Sequence, residues 1–360
     1  MKTKLKIAVL FGGKSGEHEI SLISASSIIE NMDAHKYDVY LIGITKQGHW
    51  RYYQGDVNKI KTGEWEMDSK PLIFPGDPSY RGFILAEDPS KTYEVDMVFP
   101  VIHGPNGEDG TLQGLLELTG IPYVGCDVLS SSTGMDKVMA KAIFSAHGLP
   151  QGGYIGVSRH KFKGDQQGII DEIEEGFTYP VFVKPANMGS SVGISKANNR
   201  DELIEALKVA GKYDEKIIVE EFIDGREIEC AVLGNNDPKA SILGEILPSN
   251  EFYDYQAKYE DEGESKLLIP APLSKGKSHE IRELAIRAYR ALGCSGLSRI
   301  DFFLDKKTDM IYLNEVNTMP GFTQISMYPK LWEQTGIPYA DLIDRLIELA
   351  KERFNERHDI

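Results

Sequence analysis

Two segments near the C-terminus carry oxygen-bearing side chains at a spacing that suits a divalent cation. In an extended strand, residues two apart share a face. Over Leu297 to Leu304 this directs Arg299 and Asp301 one way and Ile300 and Phe302 the other. After the turn Asp305-Lys306-Lys307-Thr308-Asp309, Glu315 and Asn317 share a face, with Val316 opposite. If these strands pair, Asp301, Glu315 and Asn317 converge. Such a hard-oxygen set fits Mg²⁺, which keeps waters and takes its remaining ligands from substrate phosphates. The competing arrangement is a surface ladder in which Arg299 neutralises Asp301 or Glu315. The strongly apolar opposite face favours the metal set, because acids in such a strand need a partner.

Lys184 ends another strand and precedes the loop Gly189-Ser190-Ser191-Val192-Gly193. Backbone N–H groups of a flexible Gly/Ser loop can cradle phosphate oxygens, and Lys184 with Lys137 would add point charges for a polyphosphate. The loop has neither the Gly-Lys-Ser/Thr closure of a P-loop nor the dinucleotide fingerprint, and a plain hairpin turn remains the alternative. Phe11-Gly12-Gly13-Lys14-Ser15-Gly16-Glu17-His18-Glu19 lies between the first strand and first helix. Open α/β sheets bind ligands at such carboxyl ends of parallel strands. Glu17 there either caps the helix or meets a substrate ammonium. His103-Gly104-Pro105-Asn106-Gly107-Glu108-Asp109-Gly110 takes an equivalent place after a later strand. His103 is either a turn residue or a support for a ligand-binding neighbour, and Asp109 suits an N-cap. Tyr253 to Tyr259 and the acids Glu260 to Glu264 form a solvated loop that could close over a site and exclude water.

These residues need a scaffold. The first third alternates strands (Leu5 to Phe11, Tyr37 to Thr45, Trp50 to Tyr53, Glu94 to Ile102) with helices at His18 to Asn31 and about 109–118. That alternation predicts a parallel sheet covered on both faces. Residues 55–89 read as short strands and loops with no assigned function. In the middle, a helix at Asp136 to Ala146, strands at Pro180 to Lys184 and Lys216 to Phe222, and a helix at Asp201 to Ala210 predict a small α+β unit. The last third offers strands at Glu227 to Leu233 and Ala240 to Leu247. It adds an amphipathic helix at Lys277 to Leu292, the acidic hairpin and two closing helices. The fold class is α/β with α+β parts, divided into 1–126, 127–222 and 223–360. With 40 basic against 55 acidic residues in 360, the net charge is −15. No wide basic face for nucleic acid is expected. No apolar run approaches the ~20 residues of a membrane span. The cysteines Cys126, Cys230 and Cys294 show no metal spacing or disulfide framework, which fits a reducing cytoplasm.

Seven stretches occur together and in a fixed order: Gly12 to Glu19, His103 to Gly110, Met135-Asp136-Lys137, Val183-Lys184-Pro185 with Gly189 to Gly193, Tyr253 to Tyr259, Arg299-Ile300-Asp301, and Glu315-Val316-Asn317-Thr318-Met319-Pro320-Gly321. In that order they resemble the D-alanine–D-alanine ligase family of the ATP-grasp superfamily. The resemblance implies a three-domain ATP-grasp architecture with an N-terminal parallel-sheet domain and ATP between the central and C-terminal domains. It implies ATP-dependent joining of two D-alanines through an acyl phosphate, for peptidoglycan precursor synthesis. By the same resemblance, Lys137 and Lys184 touch the α- and β-phosphates beside the Ser190-Ser191 loop. Glu220, Glu221 and Ile223 form the adenine hinge, and Glu227 holds the ribose. Asp301, Glu315 and Asn317 match the Mg²⁺ ligands, for two ions with Mn²⁺ able to substitute. Arg299 and the Gly321 N–H hold the oxyanion. Glu17 binds the first D-alanine's ammonium in a network with Ser190 and Tyr259, and His103 supports that pocket. Lys258 and Ser326 hold the second substrate's carboxylate, with Met327 beside it. Tyr259 matches the dipeptide makers, whereas Phe there matches versions that make D-alanyl-D-lactate. Gly16 and Met327 depart from the Ala and Leu frequent in the family. The family also implies a cytoplasmic homodimer. A D-alanine–D-lactate ligase, or another ATP-grasp carboxylate–amine ligase, would share the metal and phosphate residues but differ at Glu17, Tyr259 and Ser326. A nucleotide-binding regulator without turnover is opposed by the intact Arg299 and metal set.

Overall fold

The computed structural model describes residues 4–247 and 266–358. Lys258 and Tyr259, and the closing loop expected around them, lie outside the described residues.

The N-terminal sheet has seven strands: β1 (Leu5–Gly12), β2 (Tyr37–Ile44), β3 (Trp50–Tyr53), β4 (Lys70–Ile73), β5 (Gly82–Leu85), β6 (Asp88–Glu94) and β7 (Met97–Val101). Their order is β6-β5-β4-β3-β2-β1-β7. Only β2, β1 and β7 run parallel. From β3 onward the pairing is antiparallel, so the expectation of a parallel sheet holds only for the three strands at its β7 end. Parallel neighbours need a crossover of a dozen or more residues, and the links Thr45 to His49 and Ala86-Glu87 are too short. Residues 55–89, read from sequence as short strands and loops, supply the strands β4 and β5 and also a short helix, α2 (Asn58–Lys61). Helices α1 (His18–Asn31) and α3 (Thr111–Thr119) complete this part, and α4 (Val128–Met135) follows it.

The central part comprises α5 (Lys137–Ala146), β8 (Tyr154–Ser158), α6 (Arg159–Gly164), α7 (Gln166–Gly176), β9 (Val181–Pro185), β10 (Ser195–Ala197), α8 (Arg200–Tyr213) and β11 (Lys216–Glu221). Its antiparallel sheet, β10-β9-β11-β8, has its own core, built on Val183, Val219, Leu203 and Ile173.

The C-terminal part contains β12 (Gly225–Leu233), β13 (Lys239–Leu247), β14 (Lys266–Leu268), α9 (Lys275–Ala291), β15 (Leu297–Asp305), β16 (Ile311–Asn317), α10 (Met327–Thr335) and α11 (Tyr339–His358). The sheet order is β14-β13-β12-β15-β16. The apolar stripe of α9, Ile281, Leu284, Ala285 and Ala288, packs on Ile228, Cys230, Ile300 and Phe302. The opposite sheet face changes character along its length. At Ala231 and Leu297 it is apolar and joins Tyr328, Leu331 and Leu346 of α10 and α11 in a core that continues into Val9, Phe11 and Ile28 of the N-terminal part. At Glu227, Glu229, Arg299 and Asp301 it is charged and faces a cavity.

Candidate functional site

That cavity has a volume of about 1080 Å³ and is walled by the central and C-terminal sheets, with loops of the N-terminal part at its border. The acidic hairpin pairs as its periodicity requires. Asp301 lies opposite Glu315, and Arg299 opposite Asn317. A bulge between Asp301 and Phe302 leaves Asn314 as the extra residue. It lets Leu313 and Val316 both stay buried while Glu315 and Asn317 keep the cavity face. Arg299 bonds both oxygens of Asp301 at 2.8 Å, and its Nε stands 3.1 Å from Glu229 Oε2 on the neighbouring strand. The Asn317 amide donates to Asp301 Oδ2 at 2.9 Å. Ion-pair ladder and convergent oxygen set therefore coexist. Among the described residues no trio of His, Cys, Asp and Glu could hold a metal by itself. Two carboxylates and one amide oxygen facing a shared cavity do fit Mg²⁺ if phosphate and water oxygens complete its shell. Burial works against the Arg299 charge, but Asp301 and Glu229 more than compensate and hold its pKa well above the ordinary value.

Lys137 opens α5, whose N-cap Asp136 accepts the N–H groups of Val138 and Met139 at 3.1 Å. Its ammonium donates to Met188 O at 2.8 Å and lies 4.0 Å from Glu315. Lys184 Nζ stands 2.6 Å from Glu220 Oε2, and Lys141 Nζ, one turn along α5 from Lys137, stands 2.9 Å from Glu220 Oε1. Burial alone would raise the Glu220 pKa; Lys184 and Lys141 overcome it and hold the carboxyl well below the usual range. Its carboxylate meets two lysines, and Glu220 lines the cavity beside Glu221 and Ile223. Glu221 turns outward, where its Oε1 accepts the Gly153 N–H at 2.7 Å. Glu221, Ile223, Glu227 and Ser191 all line the cavity.

At the other end, Glu17 precedes α1 but makes no side-chain cap. Its Oε1 accepts the hydroxyl of Ser190 instead. Ser190 and Ser191 take left-handed φ values of +48° and +60°, an uncommon conformation that clusters at ligand sites. A Cβ on Gly104 would stand 2.3 Å from Glu17 Oε2, and one on Gly189 2.7 Å from it. Three loops thus close on one carboxylate. Ser15 Oγ donates to His103 O at 2.7 Å. The His103 ring bridges Met319 O at 3.0 Å and Ser24 Oγ at 3.3 Å, and burial pushes its pKa down, so it supports the site as a neutral ring.

Some site residues were not singled out from sequence. Glu108 accepts the Gly104 N–H at 2.7 Å and the Met319 N–H at 3.0 Å. Burial and the charge of Glu17 push its carboxyl up to about 8. Glu229 and Lys141 were missed as well. The alternation Glu227-Ile228-Glu229-Cys230 was the available signal for the first, and the one-turn spacing from Lys137 for the second. Gly321 borders the cavity. Ser326 does not: its Oγ accepts the Thr323 N–H at 3.0 Å and would lie 2.9 Å from any Cβ on Gly321. Met327, expected beside a substrate, is buried in the core against Gly244.

A family model described as "D-ala D-ala ligase N-terminus" matches residues 6–126, and one described as "D-ala D-ala ligase C-terminus" matches residues 143–348. A D-alanine–D-alanine ligase of Thermoanaerobacter sp. (strain X514) is 59% identical over 355 residues, covering 98% of each chain. Its counterpart from Acetivibrio thermocellus is 54% identical over 370 residues, covering 99% of this chain and 98% of the other. Among solved structures, the VanG D-Ala:D-Ser ligase from Enterococcus faecalis gives a TM-score of 0.88 at 42% identity, over 97% of this chain and 100% of that one. The D-alanine-D-alanine ligase from Coxiella burnetii gives 0.85 at 36% identity, over 99% and 98%.

Proposed function

The chain belongs to the D-alanine–D-alanine ligase family, and on that premise we propose that it joins two D-alanines into D-alanyl-D-alanine at the cavity between its central and C-terminal sheets, consuming ATP. The supporting observation is the contact of Glu17 with Ser190. It puts an anionic site for an ammonium beside a serine loop suited to phosphate, so one bound amino acid reaches both. A carboxylate oxygen of the first D-alanine attacks the γ-phosphorus and ADP leaves. The amine of the second then attacks the acyl carbon, and phosphate leaves from the tetrahedral intermediate. Glu17 holds the first ammonium. Lys137 and Lys184 hold phosphate oxygens, and Arg299 with the Gly321 N–H stabilises the oxyanion. Asp301, Glu315 and Asn317 would hold Mg²⁺, as two ions with Mn²⁺ able to substitute, which neutralises charge on the phosphates. Residues 1–126, 127–222 and 223–360 form the three domains of a cytoplasmic homodimer, and sedimentation at two concentrations checks the dimer.

The test is phosphate release from ATP and Mg²⁺ with D-alanine, with L-alanine, or with D-alanine plus D-lactate or D-serine, products identified by mass. Dipeptide from D-alanine alone is expected. The D-serine arm is included because of the likeness to a D-Ala:D-Ser ligase. Mixed product as the main outcome would keep the chemistry and change the acceptor. No phosphate release with any pair would overturn the ligase assignment. Tyr259 is proposed as the selector between amine and hydroxyl acceptors. Tyr259→Phe should raise the share of ester formed with D-lactate, and an unchanged ratio would remove it from that role.

A further inference from the structure

Lys141, Glu220 and Lys184 form a buried row of charges. The Lys141 side chain is 4% exposed, Glu220 9% and Lys184 13%, and all three line the cavity. Two lysines on one carboxylate leave a net charge of +1. Consider the same site without Lys141. Among the described residues Glu220 would then have only Lys184, at 2.6 Å, as a counter-ion, and an approaching phosphate would meet a neutral pair. Glu315 and Glu227 also act on Lys184, and both are acids. Lys141 occupies the second oxygen of Glu220 at 2.9 Å, and Tyr154 lies 5.9 Å from its ammonium. Its bond to Glu220 therefore frees the charge on Lys184 for an anion.

We propose that Lys141 is a positioning residue of the nucleotide site: by balancing Glu220 it leaves Lys184 a net positive charge for the polyphosphate of ATP. This rests on the ligase assignment above. The experiment measures binding of a non-hydrolysable ATP analogue with Mg²⁺ by calorimetry, on full-length protein, alongside KM for ATP and for D-alanine. Lys141→Met should weaken analogue binding by about tenfold and raise KM for ATP while leaving KM for D-alanine unchanged. Lys141→Met combined with Glu220→Gln restores the +1 charge and should recover most of that loss, which a purely structural lysine would not do. Lys141→Arg keeps the charge and should bind within about threefold of the parent. This variant keeps the test decisive if the methionine variant is poorly folded. A double variant no better than Lys141→Met, or an arginine variant as weak as the methionine one, overturns the inference. A parent protein that does not bind the analogue overturns the ATP assignment itself, and the inference with it.

Discussion

Glu108 shows that a carboxyl's charge is set by its surroundings. Burial, then the neighbouring Glu17, push it up to about 8. In an unfolded chain the same group titrates near about 4.3. Between those two values the folded protein holds a proton that the unfolded chain has lost, so stability falls as pH rises through the window. The favourable contribution is complete below the unfolded value and gone above about 8. Glu108→Gln cannot titrate. Its Tm, whatever its level, should vary less between pH 5 and 8 than that of the parent; an equal slope would assign the pH dependence to other groups. Glu108 also explains what single residues fail to reveal in a sequence. Asp301, Glu315 and Asn317 were legible because alternation in two strands puts them on one face. Glu108 sits in a turn with no periodicity, and its partners are backbone groups at 104 and 319. Nothing local announces a bond across that separation.

The decisive geometry at the level of elements is the meeting of three loops at Glu17. Gly104 has φ +71°, and a Cβ there would lie 2.3 Å from Glu17 Oε2. Gly104→Ala therefore pays twice, in backbone strain and in displacement of the carboxylate. The strain term is about 1 kcal/mol. The displacement should raise KM for the first D-alanine by about tenfold, with ATP-analogue binding held within about twofold. An unchanged KM would separate Glu17 from substrate binding. Legibility was uneven among the elements. The helix at His18–Asn31 and the strand at Trp50–Tyr53 were read at their observed ends, the first from its recurring Ser and Ile and the second from the turn Lys46-Gln47-Gly48-His49 before it. The bulge at Asn314 was not read, since it depends on how β16 meets β15 and not on β16 itself. Neither β8 nor α7 was expected. The eleven residues of α7 bury only Ile170 and Ile173, too thin a stripe to identify before its packing partner is known. The burial of Met327 was not read either: adjacency to Ser326 in sequence says nothing of which way a side chain turns as a helix begins.

The whole molecule divides by cores in a way its motifs do not suggest. The N-terminal sheet and helices α10 and α11 share one apolar core, whereas the central sheet closes on its own. Polar bonds reinforce the shared part. Asp344 of α11 receives Lys36 at 2.5 Å and the Tyr37 hydroxyl at 2.6 Å. Arg353 of α11 is buried and donates to Gly125 O, to Ser295 Oγ at 2.6 Å and to Tyr123 O at 2.8 Å, with its guanidinium 4.5 Å from the Tyr123 ring. One side chain thus joins the end of the N-terminal part to the segment that leads into β15. Arg353→Met keeps most of the apolar stem but leaves carbonyls without their donor. The cost should be about 2–4 kcal/mol, since these are buried bonds to a charged group. Because the two outer parts share a core, the loss should spread through both. Native-state hydrogen exchange reads this directly. Opening free energies of amides in β1 and β12 should fall together, while those in β9 and β11 hold their values. A fall confined to β1 would mean that the outer parts open separately despite the common core. A fall in all three sheets would mean that the central part has no independent stability, and that nucleotide binding there is coupled to the integrity of the entire chain.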